Sequence, residues 1–290
     1  MKKIKILIPV YNDWESVFKL LENINSEVSN LGHEFSVIIV NDSSSESRPE
    51  LSISLDNLKS IKVINMKENR GHARCNAAGL KYIFENEEFD YVIPMDGDGE
   101  DRPEEIKQLV DNLNYHPDQP IVGERIKRSE GIFFKFCYFV HKIITSTFTG
   151  QSIKFGNYTC LPKSTVEKMI NEKATWSSFS GSLAKVAKDR AIIPSERGTR
   201  YFGPSKMSFK NLLIHSLSIV SVFKINVLIR SILFVLVYLF LIQQKITIVM
   251  LIPIILVFVL IVSVFAISKR ENLDELNNSL LNISNIDDLK

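Results

Sequence analysis

The chain has 290 residues, 45% hydrophobic and 23% charged, which is enough apolar content to bury a core and excludes intrinsic disorder and fibrous repeats. A net charge of +2 excludes a global field that draws the protein to nucleic acid, so any basic site is local. Cys75, Cys137 and Cys160 lack metal-ligand spacing and are odd in number, which argues against a disulfide framework or zinc site and fits a reduced, cytosolic setting.

Short β-rich runs alternate with helical patterns in the first half, the signature of an α/β sheet with crossover helices. Strands are expected at Ile4 to Pro9, Phe35 to Val40, Ile61 to Asn65 and Tyr91 to Met95. Helices are expected at Trp14 to Ser29, Ala73 to Glu85 and Pro103 to Leu113, the last with proline in its first turn and Glu104 and Glu105 suited to the helix dipole. Met1-Lys2-Lys3 and the run to Val10 read as a first strand, because the run is too short for a signal peptide and lacks a small-residue cleavage site. In such sheets ligands bind beyond the carboxyl ends of the strands, so the polar residues that end them are the candidates for chemistry.

Two later segments, Ile132 to Phe148 and Phe209 to Phe223, combine apolar faces with lysines and read as amphipathic helices at a membrane surface. A mean hydropathy of +0.06 is high for a chain with this much charge. Its source is the stretch from Ser231 to Ser268, in which Lys245 is the only charged residue. Ile246 to Ile267 exceeds the roughly 20 helical residues that cover a bilayer core. Val227 to Ile242 is shorter and spans if the Arg230 guanidinium reaches the headgroups. The two runs are expected to form a transmembrane hairpin. Lys224, Arg230, Lys269 and Arg270 flank it, so the positive-inside rule places both termini and the N-terminal region in the cytoplasm, at the cell's inner membrane. The expected organisation is a cytosolic catalytic domain over residues 1–205, a juxtamembrane helix over 206–225, the hairpin over 226–268 and a cytosolic tail over 269–290.

The strongest local signal is Met95-Asp96-Gly97-Asp98-Gly99-Glu100-Asp101, carboxylates at the end of an apolar strand with small residues between them. Hard oxygen ligands with room for phosphate oxygens suit Mg²⁺ or Mn²⁺. An EF-hand is excluded, because its loop needs further ligands and a glutamate at its twelfth position.

The blocks Ile8-Pro9-Val10-Tyr11-Asn12, Val40-Asn41-Asp42-Ser43-Ser44, Asn69-Arg70-Gly71-His72 with Gly79-Leu80, and Met95-Asp96-Gly97-Asp98 follow one another in order. Together they resemble the family 2 glycosyltransferases with a GT-A fold. The likeness continues through Gly123-Glu124-Arg125-Ile126-Lys127-Arg128, Gly156-Asn157-Tyr158 and the run from Arg197 to Lys206. With the hairpin, these blocks resemble the polyprenyl-phosphate branch, similar to dolichol-phosphate mannose synthases and undecaprenyl-phosphate glucosyltransferases. The implied fold class is α/β: a Rossmann-like GT-A domain for nucleotide-diphospho-sugar transfer, followed by amphipathic interface helices and a two-helix transmembrane hairpin.

The resemblance implies that Pro9, Tyr11, Asp42, Asn69, Gly71, Asp96 and Arg197 bind a nucleotide-sugar, a UDP-sugar by preference. It implies that Asp96, Asp98 and Glu100 place Mg²⁺ or Mn²⁺ on the diphosphate. Arg125, Arg128, Arg200, Ser205 and Lys206 correspond to positions around the acceptor phosphate, where arginine forks match phosphate oxygens. Asp96, Asp98, Arg200, Ser205 and Lys206 are then the expected catalytic set, and the partners are a nucleotide-sugar, a polyprenyl phosphate and the membrane, with no nucleic acid. A homo-oligomer is compatible with the resemblance. His72 lies in the Gly71 turn, where it reads equally as a donor contact or a turn-stabilising residue, and it is a poor candidate for catalysis.

Relatives often have Asp-Asp-Gly-Ser where Asn41-Asp42-Ser43-Ser44 stands and Gln at the position of Glu100. Some place a carboxylate, proposed as a base, where this chain has Asn157, and an amide cannot accept a proton at neutral pH. A lipid phosphate is already ionised and needs no strong base, so Asn157 favours a phosphate acceptor. The competing readings are transfer to a saccharide hydroxyl in surface polysaccharide synthesis, and a non-catalytic membrane-bound nucleotide-sugar sensor.

Overall fold

A computed structural model describes residues 1–50, 53–127, 132–204, 208–243 and 246–290. Its strands are β1 (Lys3–Val10), β2 (Glu34–Asn41), β3 (Ser60–Met66), β4 (Tyr91–Pro94), β5 (Ile121–Lys127), β6 (Phe155–Pro162), β7 (Ala191–Glu196) and β8 (Ile283–Asp288). Its α-helices are α1 (Trp14–Glu27), α2 (His72–Asn86), α3 (Ile106–Asp111), α4 (Ile132–Ile144), α5 (Lys163–Ile170), α6 (Phe179–Val186), α7 (Phe209–Ser221), α8 (Lys224–Ile242), α9 (Ile252–Ser268) and α10 (Leu273–Asn277). The chain divides into two compact units, one of Met1–Ser129, Lys154–Ser205 and Asn272–Lys290, the other of Glu130–Ile153 and Lys206–Glu271.

The first unit is built on a mixed sheet in the order β7-β5-β6-β4-β1-β2-β3-β8. β1, β2, β3 and β4 run parallel, with Val10 opposite Asn41, Asn41 opposite Asn65 and Leu7 opposite Pro94. β6 and β8 join antiparallel, β6 to β4 and β8 to β3. Ile6, Leu7, Ile8, Val37, Ile38 and Ile39 have no exposed surface, because helices cover both faces of the parallel sheet. That is why β1 and β2 read as unbroken apolar runs rather than alternating ones. Each such side chain contributes roughly 1.5–3 kcal/mol by leaving water. α2 lies close on the sheet at Gly79, where an added Cβ would fall 2.4 Å from the Leu7 side chain.

The expected helix from Pro103 to Leu113 forms as a 3₁₀ turn at Pro103–Glu105, α3, and a second 3₁₀ turn at Asn112–Asn114. The tail does more than the sequence indicated: besides the short α10 it forms β8 and completes the sheet edge beside β3.

In the second unit, α4 runs into a π turn at Thr145–Thr149. A wider turn shifts its carbonyl partners, and α8 supplies replacements: Asn226 Nδ2 donates to the Thr149 carbonyl at 3.2 Å, and Arg230 Nη1 to that of Thr147 at 3.1 Å. Two helical stretches, Lys224–Ile242 and Ile248–Asn277, are long and apolar enough to cross a membrane. Leu233, Leu236, Phe240, Leu256 and Phe258 on them are exposed. Lys245, expected in the turn between the spans, lies outside the described residues.

Candidate active site

Parallel register carries all four sequence blocks to one edge of the sheet. The ends of β1, β2, β3 and β4 deliver Tyr11, Asp42, the loop to Gly71 and Asp96 side by side. Asn12 and Ser43 take positive φ of 50° and 58°, and Asn12 Oδ1 accepts from the Ser45 and Glu46 amides at 2.9 and 3.1 Å. These contacts tie the loop after β2 to the end of β1. Tyr11 is exposed, whereas Pro9 is buried in β1.

Asp42 is 4% exposed, and its two oxygens accept the backbone N–H groups of Arg70, at 2.9 Å, and Gly71, at 2.8 Å. Burial pushes its carboxyl up, and those two hydrogen bonds only partly offset it. The sequence-level expectation gave Asp42 to the nucleoside. The geometry gives it an additional task, holding the turn that opens α2 and presents Asn69, Gly71 and His72.

The acidic turn is itself organised by hydrogen bonds. The Asp96 amide donates to Asp101 Oδ2 at 2.9 Å, and the Glu100 amide to Asp98 Oδ1 at 3.0 Å. The segment Arg197–Tyr201 lies directly on it. Glu105 anchors the end of β7 by accepting from Ser195 Oγ at 2.7 Å and the Glu196 amide at 2.8 Å. Gly198 and Tyr201 then donate their amides to the carbonyls of Glu100 and Asp98, at 2.8 and 2.9 Å.

Every carboxylate of the turn meets a cation or an imidazole. Arg200 donates to Asp98 and, at 2.7 Å, to Asp13 Oδ2; Arg197 donates to Glu100. Arg125 stands 3.6 Å from Asp101, and His72 Nε2 is 3.2 Å from Asp96 Oδ1. Asn157 Nδ2 lies 2.6 Å from His72 Nε2 and 3.2 Å from Asp96 Oδ1. Asp96, Asp98, Glu100, Arg125, Arg197 and Arg200 are thus brought together. Arg128, Ser205 and Lys206 lie outside the described residues.

Asp13 was not singled out from the sequence. Asp13 precedes α1 and meets a residue 187 positions away. His72 sits at the first position of α2, which the Asn69-Arg70-Gly71 block introduces, and faces Asp96 just past the end of β4.

Burial and the charge of Asp96 push Asp98 up to about 6 and Asp101 up to about 7. Burial also pushes Asp96 up, but His72, Arg125 and Asn157 outweigh it and hold its carboxyl well below the usual range. Burial lowers the His72 imidazole, yet the Asp96 carboxylate raises it overall. The hard carboxylate oxygens gathered in this turn fit a divalent cation. Among the described residues no three His, Cys, Asp or Glu side chains converge as a metal cage, and Glu100 is engaged by Arg197. A metal held by Asp96 and Asp98 alone would take its other ligands from phosphate oxygens, as Mg²⁺ commonly does. Glu100, the expected third ligand, is paired with Arg197 in the structure, as Asp98 is with Arg200.

Residues 5–168 match the pattern described as Glycosyl transferase family 2. The chain belongs to that family. Within it, an undecaprenyl-phosphate 4-deoxy-4-formamido-L-arabinose transferase of Salmonella paratyphi B is 28% identical over 218 residues. The match covers 73% of this chain and 65% of that protein, so the chain spans less than two thirds of the relative's length. Among solved structures, glucosyl-3-phosphoglycerate synthase from Mycobacterium tuberculosis, in complex with Mn²⁺, UDP and phosphoglyceric acid, superposes with a TM-score of 0.57 at 13% identity. That superposition covers 78% of each chain. TarS of S. aureus in complex with UDP-GlcNAc superposes with a TM-score of 0.51 at 14% identity, over 79% of this chain and 69% of TarS. Both share the GT-A-like fold of this family 2 member.

Proposed function

We propose that the protein is a membrane-anchored inverting glycosyltransferase that passes a sugar from a nucleoside diphosphate, UDP by preference, to polyprenyl phosphate at the cytoplasmic face. The observation that carries the proposal is the pairing of the acidic turn Asp96–Asp101 with Arg197, Arg200 and Arg125 at the carboxyl ends of the strands. Such a pairing suits a place where diphosphate, divalent cation and a second phosphate meet. The named activity of the Salmonella relative and the Mn²⁺ and UDP bound by the mycobacterial synthase support the same chemistry.

Asp96 and Asp98 would hold Mg²⁺ or Mn²⁺, which supplies charge neutralisation on the departing nucleoside diphosphate. A phosphate oxygen of the acceptor attacks the anomeric carbon in line. Its bond to that carbon forms as the bond to the diphosphate oxygen breaks, and the nucleoside diphosphate leaves with the electron pair. No proton moves, so the amide of Asn157 is adequate where a hydroxyl acceptor would need a base. Arg200 and Arg197 can exchange their carboxylate partners for phosphate oxygens, and Arg128, Ser205 and Lys206 complete the proposed acceptor set. Positioning and preorganised charge provide the acceleration.

The return of residues 272–290 to the unit that contains the catalytic sheet supports two membrane crossings with both ends on one side. The flanking Lys224, Arg230, Lys269 and Arg270 support the cytoplasmic side for those ends. Incubating membranes that contain the protein with labelled UDP-sugars, undecaprenyl phosphate and Mn²⁺ tests the proposal. Label in the organic extract is the expected result. Label confined to an aqueous glycan fraction, or none across the common donors, overturns it.

A further inference from the structure

The segment Asn272–Lys290 carries no motif, yet it reaches both loops that Asp42 and its neighbours organise. We propose that this tail positions the donor-binding loops from outside the sheet, with Asn282 and Asp287 as its positioning residues; the inference rests on the donor reading above.

Two independent lines of hydrogen bonds support this. At the first, the Lys67 amide donates to the Asn282 carbonyl at 2.7 Å, Asn282 Nδ2 donates to the Glu68 carbonyl at 3.0 Å, and Lys67 Nζ donates to the Leu281 carbonyl at 2.9 Å. Asn282 is only 7% exposed, so its amide is committed to the loop rather than to water. The loop between β3 and α2 is therefore held on one side by Asp42, at Arg70 and Gly71, and on the other by Asn282, at Lys67 and Glu68. At the second, Asp287 Oδ2 accepts from Asn65 Nδ2 at 3.0 Å, Asn65 Oδ1 accepts from Asn41 Nδ2 at 2.9 Å, and Asn41 Oδ1 accepts from the Ser44 amide at 3.0 Å. That chain runs from the tail through two parallel strands into the loop that follows Asp42.

The tail is seated firmly enough to do this. Leu276 is fully buried against Ala77 of α2 and Trp176. Glu275 accepts from Trp176 Nε1 at 2.6 Å and lies 3.9 Å from Arg74, whose guanidinium stacks 5.4 Å above the Trp176 ring. Arg48 pairs with Asp287 at 2.8 Å. Removing the buried Asn282 amide leaves its bond to the Glu68 carbonyl unmade and frees the loop to sample positions in which Asn69, Gly71 and His72 no longer meet the donor.

The test uses the full-length protein in detergent, with Asn282→Ala and Asp287→Ala compared against Lys290→Ala. That control removes a tail contact, the bond from Lys290 Nζ to the Leu55 carbonyl at 2.7 Å, without touching either loop. Asn282→Asp keeps the side-chain shape while losing the donor, and serves if the alanine variant does not fold. Amide hydrogen exchange over residues 67–72 and UDP affinity in Mn²⁺ are measured together. Faster exchange in the Asn282 variants and a UDP Kd raised about tenfold, with Lys290→Ala unchanged in both, is the expected result. Unchanged exchange and affinity in a protein that binds UDP overturns the tail's role alone. Failure of the unaltered protein to bind UDP overturns the donor reading and this inference with it.

Discussion

Arg200 closes on Asp98, and through its other nitrogen on Asp13, so the residue expected to meet phosphate rests in the structure on the carboxylate expected to meet metal. The two roles compete for one partner. Replacing Arg200 by alanine should therefore tighten Mn²⁺ binding in the absence of donor, because Asp98 loses its competing cation. Transfer should fall about 10²-fold or more, the usual loss when a preorganised charge is removed from a transition state. Arg200→Lys should recover little, because an ammonium cannot span two carboxylates as a fork does. Mn²⁺ titration by electron paramagnetic resonance and a transfer assay on the same preparations check both halves.

Asn157 offers a sharper test of acceptor class. Its amide contacts His72 and Asp96, so Asn157→Asp would set a new carboxylate against one already held strongly anionic. With a phosphate acceptor no base is missing, and the variant should transfer at least about tenfold more slowly through the added repulsion. A faster variant with a new acid limb in its pH–rate profile would mean that a hydroxyl acceptor had lacked its base.

The part of the fold that was legible in the sequence is the part made by local pattern. β1 to β4, α1 and α2 have long apolar runs or helical periodicity, and the site blocks terminate them. β5, β6 and β7 were not expected: they carry Gly123, Gly156 and Pro194, which interrupt any period. β8 has a polar sequence and pairs with a strand more than two hundred positions earlier, a relationship no local window contains. The same limit explains the site. Asp96 and Asp98 announce themselves by their spacing, whereas Asp13 and His72 acquire partners only once the register of the parallel strands brings the blocks together.

Gly99 tests how closely Tyr201 must lie on the acidic turn. It has φ +88°, and an added Cβ would fall 2.6 Å from the Tyr201 ring. That ring is fixed by the bond from Asn23 Nδ2 to its hydroxyl at 2.8 Å. Gly99→Ala should cost about 1–2 kcal/mol from backbone conformation alone, with the ring clash in addition. Transfer should drop with it, because the displaced segment carries Arg197 and Arg200. Tyr201→Ala removes the clash and leaves the strain, so Gly99→Ala should cost less in a Tyr201→Ala background than in the wild type by calorimetry.

Glu87, at the end of α2, links the sheet to that helix away from the strand ends that carry the site. Its oxygens meet Lys5 Nζ at 2.8 Å and Lys62 Nζ at 2.7 Å, and the side chains of Glu87 and Lys5 are each only 8% exposed. Burial alone would raise its carboxyl, but the hydrogen bonds and charges of Lys5 and Lys62 outweigh it and hold it below its ordinary value of 4.5. A carboxyl depressed in the folded state adds stability that is present above its unfolded value and lost as pH falls through its folded one. The melting temperature should hold level above about pH 5 and decline below it, in part through this group. Glu87→Gln leaves two lysines without their anion and should cost about 3–5 kcal/mol at neutral pH. The gap between wild type and variant should then narrow on acidification, since protonation removes the same charge from the wild type. Thermal melts from pH 7 to 3 read this directly; parallel curves would mean that Lys5 and Lys62 contribute nothing through Glu87.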